Sequence, residues 1–137
     1  MWDLLNALFA RIPEMKEIAE ELCEYYHIEP TDDGGALWVN GVILATIIML
    51  EEPSPPDLLV SVFSFFEDIV KNPETRHFFM WTTMYYYCEQ KDILDRAVRM
   101  MGPETKKLYE EYMVIYKDAK LLELSQLYSN EELDAMK

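Results

Sequence analysis

An all-α chain folded as one compact domain is what the sequence predicts, on three observations. Apolar residues recur at helical spacing through most of its length, and prolines or Gly-Pro steps interrupt those stretches at helix-length intervals. Half of the 137 residues are hydrophobic, which is ample for a single packed core over 1–137. The spacing gives about six to seven helices packed as antiparallel pairs, in the manner of a HEAT-like α-α stack.

The stretch from Ser54 to Gly102 organises the rest. Ser54-Pro55-Pro56-Asp57 opens a helix whose first turn tolerates proline, because the missing N–H would be unpaired there anyway. Leu59, Val62, Phe63, Phe66, Ile69 and Val70 form its buried face. Asn72-Pro73-Glu74 restarts the chain: the asparagine side chain accepts an orphan N–H, and Glu74 meets the positive end of the helix dipole. Phe78, Trp81, Thr82, Tyr85 and Cys88 then share one side, widened by Phe79, Tyr86 and Tyr87. So short a connection makes the two helices antiparallel neighbours.

Ahead of this core, Trp2, Leu4, Leu5, Leu8 and Phe9 mark a short helix. Pro13 starts another, with Met15, Ile18, Ala19, Leu22, Cys23 and Tyr26 inward and Glu14, Glu17, Glu20, Glu21 and Glu24 outward. Only Lys16 breaks that negative face, and acids three and four apart cost a helix a few tenths of a kcal/mol per pair. Glu29 to Gly35 reads as an acidic loop. The segment 36–50 carries two signals, since Asn40-Gly41 between apolar residues suits a hairpin while the unbroken apolar run Val42–Leu50 suits a buried helix reaching Glu52. The helix is favoured. Ile93, Leu94, Ala97, Val98 and Met101 mark the next helix, closed by Gly102-Pro103. Leu108, Tyr112, Ile115, Tyr116, Ala119 and Leu122 define a long one to about Tyr128, before a capping box at Ser129 and Glu132.

Charge narrows the function classes. With 26 acids against 12 lysines and arginines, a net charge of -14 repels nucleic acid and anionic membranes and attracts a basic protein. The same acids also serve plain solubility. No apolar run approaches the roughly 18 residues of a bilayer span, and the start of the chain lacks a basic secretory segment, so a cytoplasmic protein is expected. Cys23 and Cys88 both fall in apolar stripes and are expected to be buried reduced thiols, a disulfide between them being geometrically open but unusual in a reducing compartment.

Phosphate-binding glycine loops, serine elbows, HExxH and EF-hand motifs are absent, which removes the common motif-bearing enzymes. One metal pattern remains. Glu24 with His27 and Glu74 with His77 have the Glu-x-x-His spacing of di-iron bundles, with Glu51 and Glu110 as further carboxylates. Against it, both pairs fall at helix ends, where ligands of a bundle core do not normally lie, so no cofactor and no enzymatic activity are expected. The consecutive Tyr85, Tyr86 and Tyr87 cannot all face inward, which leaves a wet edge or a homodimer contact. Trp38, beside the acidic loop, is either an exposed binding anchor or a core tryptophan.

Met101-Gly102-Pro103-Glu104-Thr105-Lys106-Lys107-Leu108, with Ile12 to Lys16, Phe63 to Glu67 and Lys91 to Leu94, resembles a family of small acidic all-helical bacterial proteins, the immunity partners of polymorphic toxins. The resemblance covers roughly Leu4 to Tyr112, carries no catalytic residues, and departs in its aromatics from Phe78 to Tyr87 and its tail beyond Tyr116. It implies an inhibitor of a cognate toxin or nuclease domain. Glu20, Glu21, Glu24, Asp32 and Asp33 are the expected contacts, with Trp38 as anchor. A phage-encoded mimic of nucleic acid that blocks a host defence protein is the alternative use of the same charge.

Overall fold

A computed structural model describes residues 2–29 and 31–127, with side chains followed to Lys120 apart from that of Met80. Among the described residues the chain forms seven continuous helices and no strand. They are α1 (Trp2–Arg11), α2 (Pro13–Tyr25), α3 (35–50), α4 (Asp57–Val70), α5 (73–89), α6 (Lys91–Met100) and α7 (Pro103–Leu127). Two of them are not α-helical throughout: α3 is π-helical over Trp38–Ile43 and α5 over Met80–Met84. The capping box at Ser129 and Glu132 lies outside the described residues.

The favoured helix at 36–50 is present, and the hairpin signal of Asn40-Gly41 is overridden by packing. A Cβ on Gly41 would stand 2.8 Å from the carbonyl oxygen of Ala19 and 2.9 Å from its Cβ, so here glycine serves a close helix crossing instead of a turn. The helix stops at Leu50, short of Glu52, and a distant side chain closes it. Nη1 of Arg96 donates to the carbonyls of Leu50 and Glu51, each at 2.9 Å, and of Glu52 at 3.4 Å, which satisfies acceptors the helix end leaves open.

Helix α4 buries every residue assigned to its inner face and Phe65 besides. It opens at Asp57, just after the prolines, with Pro56 still extended. Asn72 caps α5 as expected, its Oδ1 accepting the N–H of Glu74 at 3.0 Å. The face of α5 is different. Its buried residues are Phe79, Thr83, Met84, Tyr87 and Cys88, while Trp81 and Tyr85 are exposed. A π turn holds more residues than an α turn, so the segment at Met80–Met84 rotates everything after it away from the 3.6-residue spacing.

Two polar contacts tie α3 to α5 inside the core. Nε1 of Trp38 donates to Oγ1 of Thr83 at 3.3 Å, and the hydroxyls of Thr46 and Tyr87 share a hydrogen bond at 2.7 Å. Burial raises the Tyr87 phenol far above its ordinary pKa, so it stays neutral. No described buried side-chain N or O lacks a partner. Cys23 and Cys88 are buried free thiols, and burial, aided by the nearby Glu89 charge, lifts that of Cys88 to about 11.

Helix α7 is anchored by a carboxylate from α4. Oε2 of Glu67 accepts the N–H of Glu104 at 2.9 Å, and Oε1 accepts the N–H and Oγ1 of Thr105 at 2.8 and 2.7 Å. Gly102 makes room for this: a Cβ there would fall 2.5 Å from the Glu67 carboxyl carbon. Burial alone would raise the pKa of Glu67, but these hydrogen bonds and the Lys71 charge outweigh it, leaving the carboxyl below its ordinary value.

Two outcomes follow from this packing. Gly41→Ala should destabilise the fold by about 1–3 kcal/mol in urea unfolding, because Ala19 is met through its backbone and cannot swing aside; an unchanged midpoint would mean α2 does not approach this closely. Because the folded-state pKa of Glu67 is depressed, its stabilisation is full above the unfolded pKa of about 4.3 and lost as pH falls through the folded value. The stability gap between the native chain and Glu67→Gln should therefore be widest near neutrality and shrink below about pH 4, whereas a gap independent of pH would contradict the capping role.

Candidate functional surface

The outer face of α2 is negative apart from the exposed Lys16, and the helix has no basic residue in its last turn. Glu14, Glu17, Glu20, Glu21 and Glu24 are all exposed. None of them takes part in an ion pair among the described residues; the pairs there are Arg11 with Asp68, Arg76 with Glu111, Lys107 with Glu104 and Lys120 with Glu89. The acidity is also uneven along the chain. Residues 1–70 hold 14 of the 26 acids but only two of the 12 lysines and arginines, so the excess belongs to α1–α4.

The acids singled out from the sequence divide over this surface. Glu20 and Glu24 border a shallow groove of about 320 Å³ with Trp2, Cys23, Ile28 and Leu37. Glu21 borders another, of about 350 Å³, formed by Ile18, Leu22, Tyr25, Ala45, Ile48 and Met49. Asp32 is exposed, and its backbone carbonyl accepts Nε1 of Trp2 at 2.8 Å, which ties the acidic loop to α1.

Asp33 has a structural task. Its Oδ1 accepts Oγ1 of Thr31 at 2.7 Å and the N–H of Gly35 at 2.9 Å, while Thr31 accepts the N–H of Ala36 at 3.1 Å. The Thr31 hydroxyl first, then the Gly35 N–H, hold its pKa below the usual carboxylate value. Together they cap the start of α3, where negative charge suits the dipole.

Trp38 as an exposed anchor is corrected. Its relative exposure is 0%, with the indole 5.6 Å from the Phe78 ring and 6.1 Å from Phe66 and its N–H on Thr83. The indole lies inside because the π turn beginning at Trp38 faces α5, so the core alternative holds and Trp38 serves the surface only from beneath.

Of the two Glu/His pairs, Glu24 and His27 come apart, while Glu74 and His77 both lie in the first turns of α5. Helix α2 ends in a Schellman motif: the N–H of His27 bonds the carbonyl of Glu24 at 3.1 Å and that of Ile28 the carbonyl of Cys23 at 2.9 Å. His27 takes φ 55°, a left-handed backbone, so it has left the helix and does not share a helical face with Glu24. His77 lies one turn into α5 with its ring 6.3 Å from Trp81. Among the described residues no three His, Cys, Asp or Glu side chains are grouped to hold a metal ion.

Of the three tyrosines, Tyr85 is exposed, Tyr86 half-buried and Tyr87 buried. Tyr85 and the exposed Trp81 border a groove between α5 and α7 that is floored by the buried Tyr112, and at its rim Tyr116 donates to Glu89 and Lys120 lies 5.4 Å above the Tyr116 ring. No described helix is long and apolar enough to cross a membrane.

The groove between α2 and α3 escaped the sequence reading because Ile18 and Leu22 belong to the apolar stripe of α2 and were assigned inward. The run Val42–Leu50 did hold a signal: a helix apolar on every side must show some of that surface unless it is enclosed all round, and Ile48 is the residue left out.

Comparison with family models, with curated proteins and with solved structures finds no match to the chain. What it does has to be read from its own residues. The termination of α2 gives a direct check: His27→Gly should stabilise the protein by about 1 kcal/mol in chemical unfolding, because glycine adopts the left-handed cap without the Cβ penalty. A loss of stability would mean the imidazole makes a contact worth more than that strain.

Proposed function

We propose that this chain is a non-enzymatic binding protein of the immunity type, which holds a basic toxin or nuclease domain against the outer face of α2 and keeps it from its substrate. Such a protein works in the cytoplasm. The observation that carries the reading is the unneutralised glutamate face of α2, within a half of the molecule that has almost no cations. A basic substrate cleft offers the complementary potential, and pairing of that kind raises association rates by orders of magnitude at low salt.

Acids kept only for solubility need no particular side. The side taken here includes the carboxy-terminal turns of α2, where Glu21 and Glu24 oppose the helix dipole, so the helix is less stable for keeping them. That cost is easier to understand if the field is used.

Lysine in place of Glu20, Glu21 and Glu24 separates use from stability. A tagged native chain in native lysate should retain a basic protein at low salt and release much of it at high salt, and the triple variant should retain about tenfold less. Its thermal midpoint should not fall, since cations near the end of α2 suit the dipole. Equal retention by both forms would reject this face.

A further inference from the structure

The groove between α2 and α3 is lined by Ile18, Leu22, Tyr25, Ala45, Ile48 and Met49, with Glu21 its one charged residue. Tyr25 is 75% exposed and Ile48 39% exposed, so both present apolar surface to solvent. The Tyr25 ring is already fixed edge-on against Tyr26, with centroids 4.9 Å apart, so one wall is preformed. Scattered apolar side chains are ordinary on a protein surface, but these converge on one concavity of about 350 Å³.

We propose that this groove seats an amphipathic helix supplied by a basic partner. The partner's apolar stripe lies on Ile18, Leu22, Tyr25, Ala45, Ile48 and Met49, and its lysines or arginines lie against the surrounding acids. The inference rests on the reading of the protein as a binder of basic partners and adds where and how such a partner engages.

Charge selects the occupant. Glu21 borders the groove on α2, and along the same helix Glu17 and Glu24 are exposed one turn before and after Glu21, Glu24 bordering the neighbouring groove. At the other wall, the N–H groups of Glu51 and Glu52 bond the carbonyls of Ile48 and Met49, which places both exposed acids one turn beyond the groove residues. The carboxy-terminal dipole of α3 adds to this negative end. Arg96 is the cation that reaches it, and its Nη1 is directed at the backbone carbonyls of residues 50–52. A second copy of the chain would bring an identical negative frame against this one, and nucleic acid or an anionic bilayer would be repelled. A partner strand would need an open sheet edge, and the described residues contain no strand. A helix laid into the groove is the remaining mode, with apolar contacts for affinity and flanking cations for orientation.

The probe is a fluorescent helical peptide of roughly 18 residues, leucine at i, i+3, i+4 and i+7 and lysine elsewhere, titrated against the full chain by anisotropy. A glycine/lysine peptide of equal length and charge serves as the comparison. The helical peptide should bind about tenfold or more tightly than the glycine/lysine peptide, and Ile48→Lys, a surface change, should remove that advantage while leaving the thermal midpoint within a few degrees. Val114→Lys, likewise an exposed apolar-to-lysine change but on α7 and outside the groove lining, should leave the advantage in place. Equal binding of the two peptides, or an advantage that survives Ile48→Lys, overturns the groove and leaves the acidic-surface reading standing. Absence of salt-dependent binding by either peptide overturns both.

Discussion

The contact between Gly41 and Ala19 governs how the acidic face of α2 and the groove beside it are built. It brings the backbones of α2 and α3 together with no side chain between them, which is possible only because one partner is glycine and the other alanine. Ala19 and Cys23 meet α3 at Gly41 and Ala36, and Met15 is buried on the same helix. The rest of α2 is then fixed in rotation: Ile18 and Leu22 fall on the flank, and the glutamates face water. A wider crossing would let larger side chains fill the space and would erase the groove. The position of α3 is secured in turn from the opposite side, where Trp38 and Thr46 bond Thr83 and Tyr87 of α5. Buried polar pairs of this kind tolerate few alternative registers, because a shift leaves donors unpaired in the core.

Two helices in this chain depart from α geometry where they meet, and that departure marks the limit of what periodicity could reveal. The helices themselves were legible: proline and Gly-Pro punctuation placed most of their ends to within a few residues, and every residue read onto the inner face of α4 is buried, with Phe65 the one that spacing omitted. The inner face of α5 was legible only in part: Phe79, Tyr87 and Cys88 are buried, but within and just after the π-helical segment Thr83 and Met84 are buried in place of Trp81 and Tyr85. Nothing local in Met80-Trp81-Thr82-Thr83-Met84 announces a wider turn. The cause is tertiary, since the turn presents Thr83 to Trp38 and Met84 to the core.

The surface was legible as charge and illegible as shape. Composition gave the sign of the field and helical spacing gave the exposed glutamates of α2. Asp33 could not be told from its neighbour Asp32 without the turn in which it caps Gly35, and His27 could not be removed from the Glu-x-x-His pattern without the left-handed cap that ends the helix before it. The groove depended on two segments some 25 residues apart in sequence meeting at Gly41, a residue whose local signal pointed to a hairpin.

The electrostatic cost borne by α2 bears most directly on why the acids are there. A helix selected for stability alone would place acids in its first turns and cations in its last, as α6 does with Asp92 and Arg99. Helix α2 has Glu14 where the dipole favours it but keeps Glu21 and Glu24 where the dipole opposes them, with no lysine or arginine four residues on to compensate. Helices α6 and α7, in the same protein and the same solvent, mix both signs along their length. Solubility acts on the whole surface and would not distinguish α2 from α7. A partner that meets one side of the molecule would, and it would find there both a negative field to draw it in and an apolar groove on which to settle.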